Sequence, residues 1–143
     1  MENNYLDKLQ SILALCQENT TSGCFLYTGS ISPSQKYPKI KITTLHSPYS
    51  MNMHVFIYKM AKNIQPNHRF LPNQDISHLC HQPTCMKIGH LNLESRQINN
   101  HRKLCKSNRA CFGHFNQPNC IFSKFRMKHA NFSTNYYSTS NLI

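Results

Sequence analysis

The chain is 143 residues long, carries 16 lysines and arginines against five acids, and has a formal net charge of +11. That size allows one domain, or one small domain with a tail, and so basic a surplus favours a polyanionic partner, nucleic acid first. No apolar run approaches the length of a membrane span, and no basic amphipathic helix of the membrane-surface kind is visible. Seven cysteines is an odd count, histidines are interleaved among them, and no signal-peptide pattern opens the chain. Metal binding in a nuclear or cytoplasmic setting is therefore expected, rather than a secreted disulfide framework.

Residues 3–18 repeat Tyr5, Leu6, Leu9, Ile12, Leu13 and Cys16 at helical spacing, which predicts an amphipathic helix with Cys16 on its apolar stripe. The segment 20–23 breaks that helix and delivers Cys24 into a short strand. In residues 37–45, Ile40, Ile42 and Thr44 alternate with Lys39, Lys41 and Thr43, predicting a second strand with one basic face. Such a face can enter a DNA major groove, and Lys36, Lys39 and Lys41 are the candidate DNA contacts. His46 to Asn52 reads as a turn around Pro48. Residues 53–63 read as a short helix with Val55, Phe56, Tyr58 and Met60 inward and Lys59 and Lys62 outward. A loop from Gln65 to Asn73 leads to a brief strand that begins at Asp75 and ends at His78. Leu91 to Leu104 looks helical, with Glu94, Arg96, Arg102 and Lys103 toward water. Residues 121–143 form a basic, aromatic, acid-free tail that is expected either to stay mobile or to lie across another surface, such as a partner subunit.

The chemistry concentrates between Ile76 and Cys120, which hold five of the seven cysteines and five of the nine histidines. Cys80, Cys85 and His90 form a C-x4-C-x4-H run; Cys105, Cys111, His114 and Cys120 form C-x5-C-x2-H-x5-C. Thiolates and imidazoles grouped in this way suit tetrahedral zinc, and closed four-ligand sites contribute folding free energy rather than chemistry. The open position of the first run fits either a water-bearing catalytic metal or a distant thiol. Of the two spare thiols, Cys24 follows a glycine and opens a strand, so it is favoured over Cys16; His81 is expected outside the ligand shell. Six thiolates subtract six charges and two Zn²⁺ return four, so the +11 falls only to +9 and the protein stays basic.

Ser77-His78-Leu79-Cys80-His81, followed by Cys85, His90-Leu91, Glu94-Ser95, Asn99, Arg102 and Cys105, resembles the His-Cys box homing endonucleases. These are the zinc-stabilised, dimeric branch of the ββα-metal (His-Me finger) nucleases. The resemblance covers roughly the central third of the chain. It implies an α+β fold: a small mixed domain with antiparallel sheets and short helices, its ββα-metal core stapled by two structural zinc sites. That domain would span 1–120, with the tail 121–143 exchanging between the subunits of a homodimer on double-stranded DNA. In the family, the residue matching His78 is the general base and that matching Asn99 binds one catalytic Mg²⁺ (or Mn²⁺). The residues matching Cys80, Cys85 and His90 hold one zinc with an upstream cysteine, here Cys24. Those matching Cys105, Cys111, His114 and Cys120 hold the second. The family also brings an arginine from an upstream strand to the scissile phosphate, where this chain offers Lys39 and Lys41.

The chemistry suits those residues independently of the family. An imidazole with an ordinary pKa near ~6.5 can take a proton from water at neutral pH. A hard cation held by one amide oxygen keeps positions open for phosphate and leaving group. The rival readings are a zinc-stabilised DNA-binding regulator without chemistry and an RNA-binding zinc protein that stacks bases on aromatic side chains.

Overall fold

The computed structural model describes residues 3–43 and 47–122. It contains three helices and three two-stranded antiparallel sheets among those residues, the small mixed α+β architecture expected. Helix α1 (Asn3–Ala14) leads into strand β1 (Cys16–Asn19), which pairs with β2 (Cys24–Tyr27). Strand β3 (Lys39–Ile42) pairs with β4 (Tyr49–Asn52), and α2 (Met53–Ala61) follows directly. Strand β5 (Gln74–His78) pairs with β6 (Leu91–Ser95), and α3 (Arg96–Asn108) continues from it. That last hairpin and helix form a ββα unit.

Four local readings are corrected. The first helix stops at Ala14, and Cys16 opens β1 instead of completing a helical stripe. The hairpin chemistry that follows explains this: Asn19 Oδ1 accepts from Ser22 N at 2.9 Å, and Gly23 takes φ +66, a conformation glycine adopts without steric cost. The expected turn around Pro48 contains strand β4; proline sits just before the first paired residue, where its missing N–H costs nothing. Leu91–Ser95 is strand rather than helix. Its partner β5 lies ready across the zinc loop, and Ser95 caps α3 by accepting from Ile98 N at 3.3 Å. On α2 the inner face is Met53, His54, Phe56, Ile57, Lys59 and Met60, so Lys59, expected outward, is buried. Its ammonium donates to the carbonyls of Pro66 (2.7 Å) and His68 (2.6 Å) and lies over the Phe70 ring, pinning the loop before β5.

The main core joins Tyr5 and Ile12 of α1, Ile42 of β3, the apolar face of α2, Ile76 of β5 and Leu91 of β6. Lys39 and Lys41 are exposed on β3 while Ile42 is fully buried, matching the two-faced pattern read from the sequence. The tail falls outside the described residues, except that Ile121 N donates to the Leu79 carbonyl at 2.8 Å and Phe122 stacks on His81.

Candidate functional site

Two clusters of four ligand atoms stand out among the described residues: Cys24, Cys80, Cys85 and His90, and Cys105, Cys111, His114 and Cys120. Within each, the atoms all lie within 4.8 Å of one another. Sulfur and nitrogen bound to one tetrahedral Zn²⁺ at ordinary bond lengths should stand about 3.5 Å apart. The Sγ–Nδ1 distances to His90 are 3.6 Å from both Cys24 and Cys85. Those to His114 Nε2 are 3.7, 3.4 and 3.3 Å from Cys105, Cys111 and Cys120. Both tetrads are therefore spaced to hold zinc, and all seven cysteines are unbridged. Cys16 lies outside them, its thiol donating to the Ile12 carbonyl at 3.2 Å.

The first tetrad is built by strand pairing. Cys24 opens β2, and the loop carrying Cys85 adds to that strand through Tyr27 N to Thr84 O (2.9 Å) and Met86 N to Phe25 O (2.7 Å). Cys80 follows β5, and His90 closes a 3₁₀ turn (Ile88–His90) whose carbonyl accepts from Leu79 N. The second tetrad takes Cys105 from α3 and the rest from the segment after it. There, burial pushes the Cys120 thiol up to about 12, while an Arg102 N–H 3.5 Å away pulls it down.

A cleft opens between the end of β5 and α3. His78 and Asn99 both line it, with Lys36, Tyr37, His81, Arg102, Lys103 and Lys106 among its other walls. None of its lining residues is acidic. Lys36 therefore stands at the cleft, while Lys39 and Lys41 lie on the exposed face of β3 and do not line it.

His78 is held on three sides. Its Nε2 stands 3.2 Å from the Cys85 carbonyl. A carbonyl only accepts, so Nε2 carries the proton and Nδ1 the lone pair. Tyr37 stacks on the ring at 5.9 Å with the planes 4° apart, and His54 packs against it at 4.4 Å. Burial lowers the His78 pKa to about 4, with Lys36 and His81 adding to the effect against the Cys85 hydrogen bond. Burial, then His78, lowers His54 to about 3. Both rings are neutral at pH 7. Asn99 projects from α3 and donates through Nδ2 to Asp75 at 3.3 Å.

Glu94 and Arg102, both expected toward water, instead form a buried pair. Nε and Nη2 of Arg102 each donate to a Glu94 oxygen at 2.7 Å, and Nη2 also reaches the Pro118 carbonyl at 2.9 Å. Burial alone would raise the Glu94 pKa, but the Arg102 guanidinium and Asn92 hold it below the usual carboxylate range. Arg102 thus ties β6, α3 and the second tetrad together, and much of its charge is spent inside. Sequence reading missed Tyr37, His54, Lys103 and Lys106 as site residues. The last two carry a detectable signal, two lysines three residues apart on the helix that bears Asn99; the first two carry none, because their role comes from packing.

The fold and the clusters define a small α+β domain in which two Cys₃His sites flank a basic cleft. A family model described as the zinc-binding loop region of homing endonuclease matches residues 30–130, most of the chain. The chain belongs to that family. Cys24 lies upstream of the matched residues. No curated protein and no solved structure gives a significant match. No helix among the described residues is long and apolar enough to cross a membrane.

Proposed function

We propose that the protein is an endonuclease that hydrolyses phosphodiesters of double-stranded DNA, with His78 as general base and one Mg²⁺ (or Mn²⁺) held by Asn99. The observation that carries this reading is the cleft itself: one imidazole, held through Nε2 by the Cys85 carbonyl, and one side-chain amide line the same basic wall, which has no acid in it. Each residue has a definable task. The Cys85 carbonyl orients His78 so that Nδ1 can accept a proton from the attacking water. Tyr37 and His54 restrict ring rotation, which contributes through positioning. Lys36 supplies cationic charge near the phosphate, the role that the family gives to an arginine, while Lys103 and Lys106 extend that charge along α3. Asn99 would hold a divalent ion, whose charge would help to polarise the phosphate and stabilise the departing 3′ oxygen. Asn99 fits such an ion because it offers a single hard oxygen and leaves the remaining positions to water and substrate.

Two subunits related by a two-fold axis would match the symmetry of a near-palindromic site, so a homodimer is part of the proposal. The test is to incubate zinc-loaded protein with randomised duplex DNA, with and without Mg²⁺, and sequence the ends produced. Defined ends that require Mg²⁺ and vanish in His78→Ala, with DNA binding and both zinc ions retained, are expected. Duplex binding without cleavage would instead leave a zinc-stabilised DNA-binding protein.

A further inference from the structure

A cation can use Asn99 only if the amide turns its oxygen toward the cleft. The group that decides this lies outside the cleft. Asp75 on β5 accepts from Asn99 Nδ2 at 3.3 Å. A carboxylate only accepts, so the amide presents nitrogen to Asp75 and turns Oδ1 away from it. Unpartnered, the same amide flips freely, and its NH₂ end repels a cation. Asp75 is held in turn by Arg96, the first residue of α3, whose Nε and Nη2 reach its two oxygens at 3.3 Å each. The chain has only five acids, and Glu94 is committed to Arg102. Asp75 is therefore the carboxylate in hydrogen-bond contact with the cleft's amide, although it does not line the cleft.

We propose that Asp75 is a positioning residue for the cation site: it locks the Asn99 amide with its oxygen outward and places a negative charge behind it. The inference rests on the endonuclease reading, in which Asn99 carries the ion. Groups that orient a ligand in this way typically change metal affinity by about 10–100-fold.

The test compares wild type, Asp75→Ala, Asp75→Asn and Arg96→Ala on the duplex recovered from the randomised library. Cleavage is titrated with Mg²⁺. Mn²⁺ binding to the protein–duplex complex is measured separately by electron paramagnetic resonance in a His78→Ala background. Asp75→Ala should raise the Mg²⁺ half-saturation about tenfold, with the same shift in Mn²⁺ affinity. Saturating Mg²⁺ should restore its turnover, and KM for DNA should not move. Asp75→Asn should fall between, because its amide meets Asn99 in either orientation. Arg96→Ala breaks the ion pair but keeps the Asp75–Asn99 contact, so it should shift the half-saturation least. Zinc content and melting identify a variant that fails to fold, in which case Asp75→Asn decides. The inference is overturned if both Asp75 variants keep wild-type Mg²⁺ and Mn²⁺ affinity, or if lost turnover is not restored at any Mg²⁺ concentration. A wild type that neither cuts DNA nor binds Mn²⁺ on it overturns the endonuclease reading and this inference with it.

Discussion

The tetrad of Cys24, Cys80, Cys85 and His90 gathers residues from β2, the end of β5 and the loop between β5 and β6, so it closes chain segments far apart in sequence. The tetrad of Cys105, Cys111, His114 and Cys120 spans 16 consecutive residues at the end of α3. The first is deep, with Cys24 and Cys85 fully buried. The second sits in a loop whose Phe112 and Phe115 are 74% and 86% exposed. The donor chemistry is the same, but the consequences differ. The first tetrad sets His78, because Cys85 contributes both a ligand sulfur and the carbonyl that holds the imidazole. The second governs the helix bearing Asn99, through Cys105 and through Arg102 reaching from α3 to Cys120. One staple therefore serves each half of the cleft, and the first also joins segments far apart in sequence.

The largest effect should come from Cys85→Ser. Structural zinc sites contribute on the order of 10–16 kcal/mol in small zinc-finger peptides, as much as a whole domain's usual ~5–15 kcal/mol of stability. Loss of this site should leave the chain without a cooperative melt and with zinc content well below two per chain. A Cys85→Ser protein that still melts cooperatively would remove the distinction between the two tetrads.

Arg102→Met should come next, costing about 3–5 kcal/mol by stranding the Glu94 carboxylate in the interior. The double variant Glu94→Leu/Arg102→Met should recover much of that loss, since replacing both partners avoids an unpaired buried charge. Denaturant melts of zinc-loaded protein check both. The same pair gives a pH signature. Glu94 is held below the ordinary carboxylate range, so its contribution is present above the unfolded value near ~4.3 and is lost as pH falls through the folded one. The stability gap between wild type and Glu94→Gln should therefore narrow in acid. A gap that widens would mean that the carboxyl is protonated in the folded protein.

Cys111→Ser should be milder. It should lose one zinc and fray the last turn of α3 while the main core keeps its cooperative melt. In wild type, a chelator should likewise remove the second zinc before the first.

What the sequence revealed follows the same division. Ligand spacing is local chemistry, so Cys80, Cys85, His90 and the whole second tetrad could be read directly, and His78 and Asn99 drew attention by their places beside them. Cys24 needed an argument from loop freedom, because its partners lie more than fifty residues away. Charge patterning misled: Glu94, Arg102 and Lys59 look like a solvated face until β6 pairs with β5 and α2 packs on the core. The strand Leu91–Ser95 was hidden for a related reason. Its apolar residues fit a helical stripe, and only its long-range partner and the Ser95 cap decide otherwise. Tyr37 and His54 were not legible at all, since nothing in their neighbouring residues marks them as lying against His78.

The smallest change bears on how the outer tetrad is tuned. His101 Nδ1 lies 3.2 Å from His114 Nδ1, with the rings edge to face, so one nitrogen donates and the other accepts. That contact fixes the orientation in which His114 Nε2 faces three thiolates. Removing a group of this kind typically weakens metal binding by at least about tenfold. His101→Ala should therefore lower zinc affinity at the second tetrad by that factor, leave the first unchanged and barely move the melting midpoint in excess zinc. Competition with a colorimetric chelator should resolve two zinc ions per chain in wild type, and only the earlier-released one should shift. A shift in the later-released ion would mean that the two tetrads are coupled through the cleft and cannot be treated as separate staples.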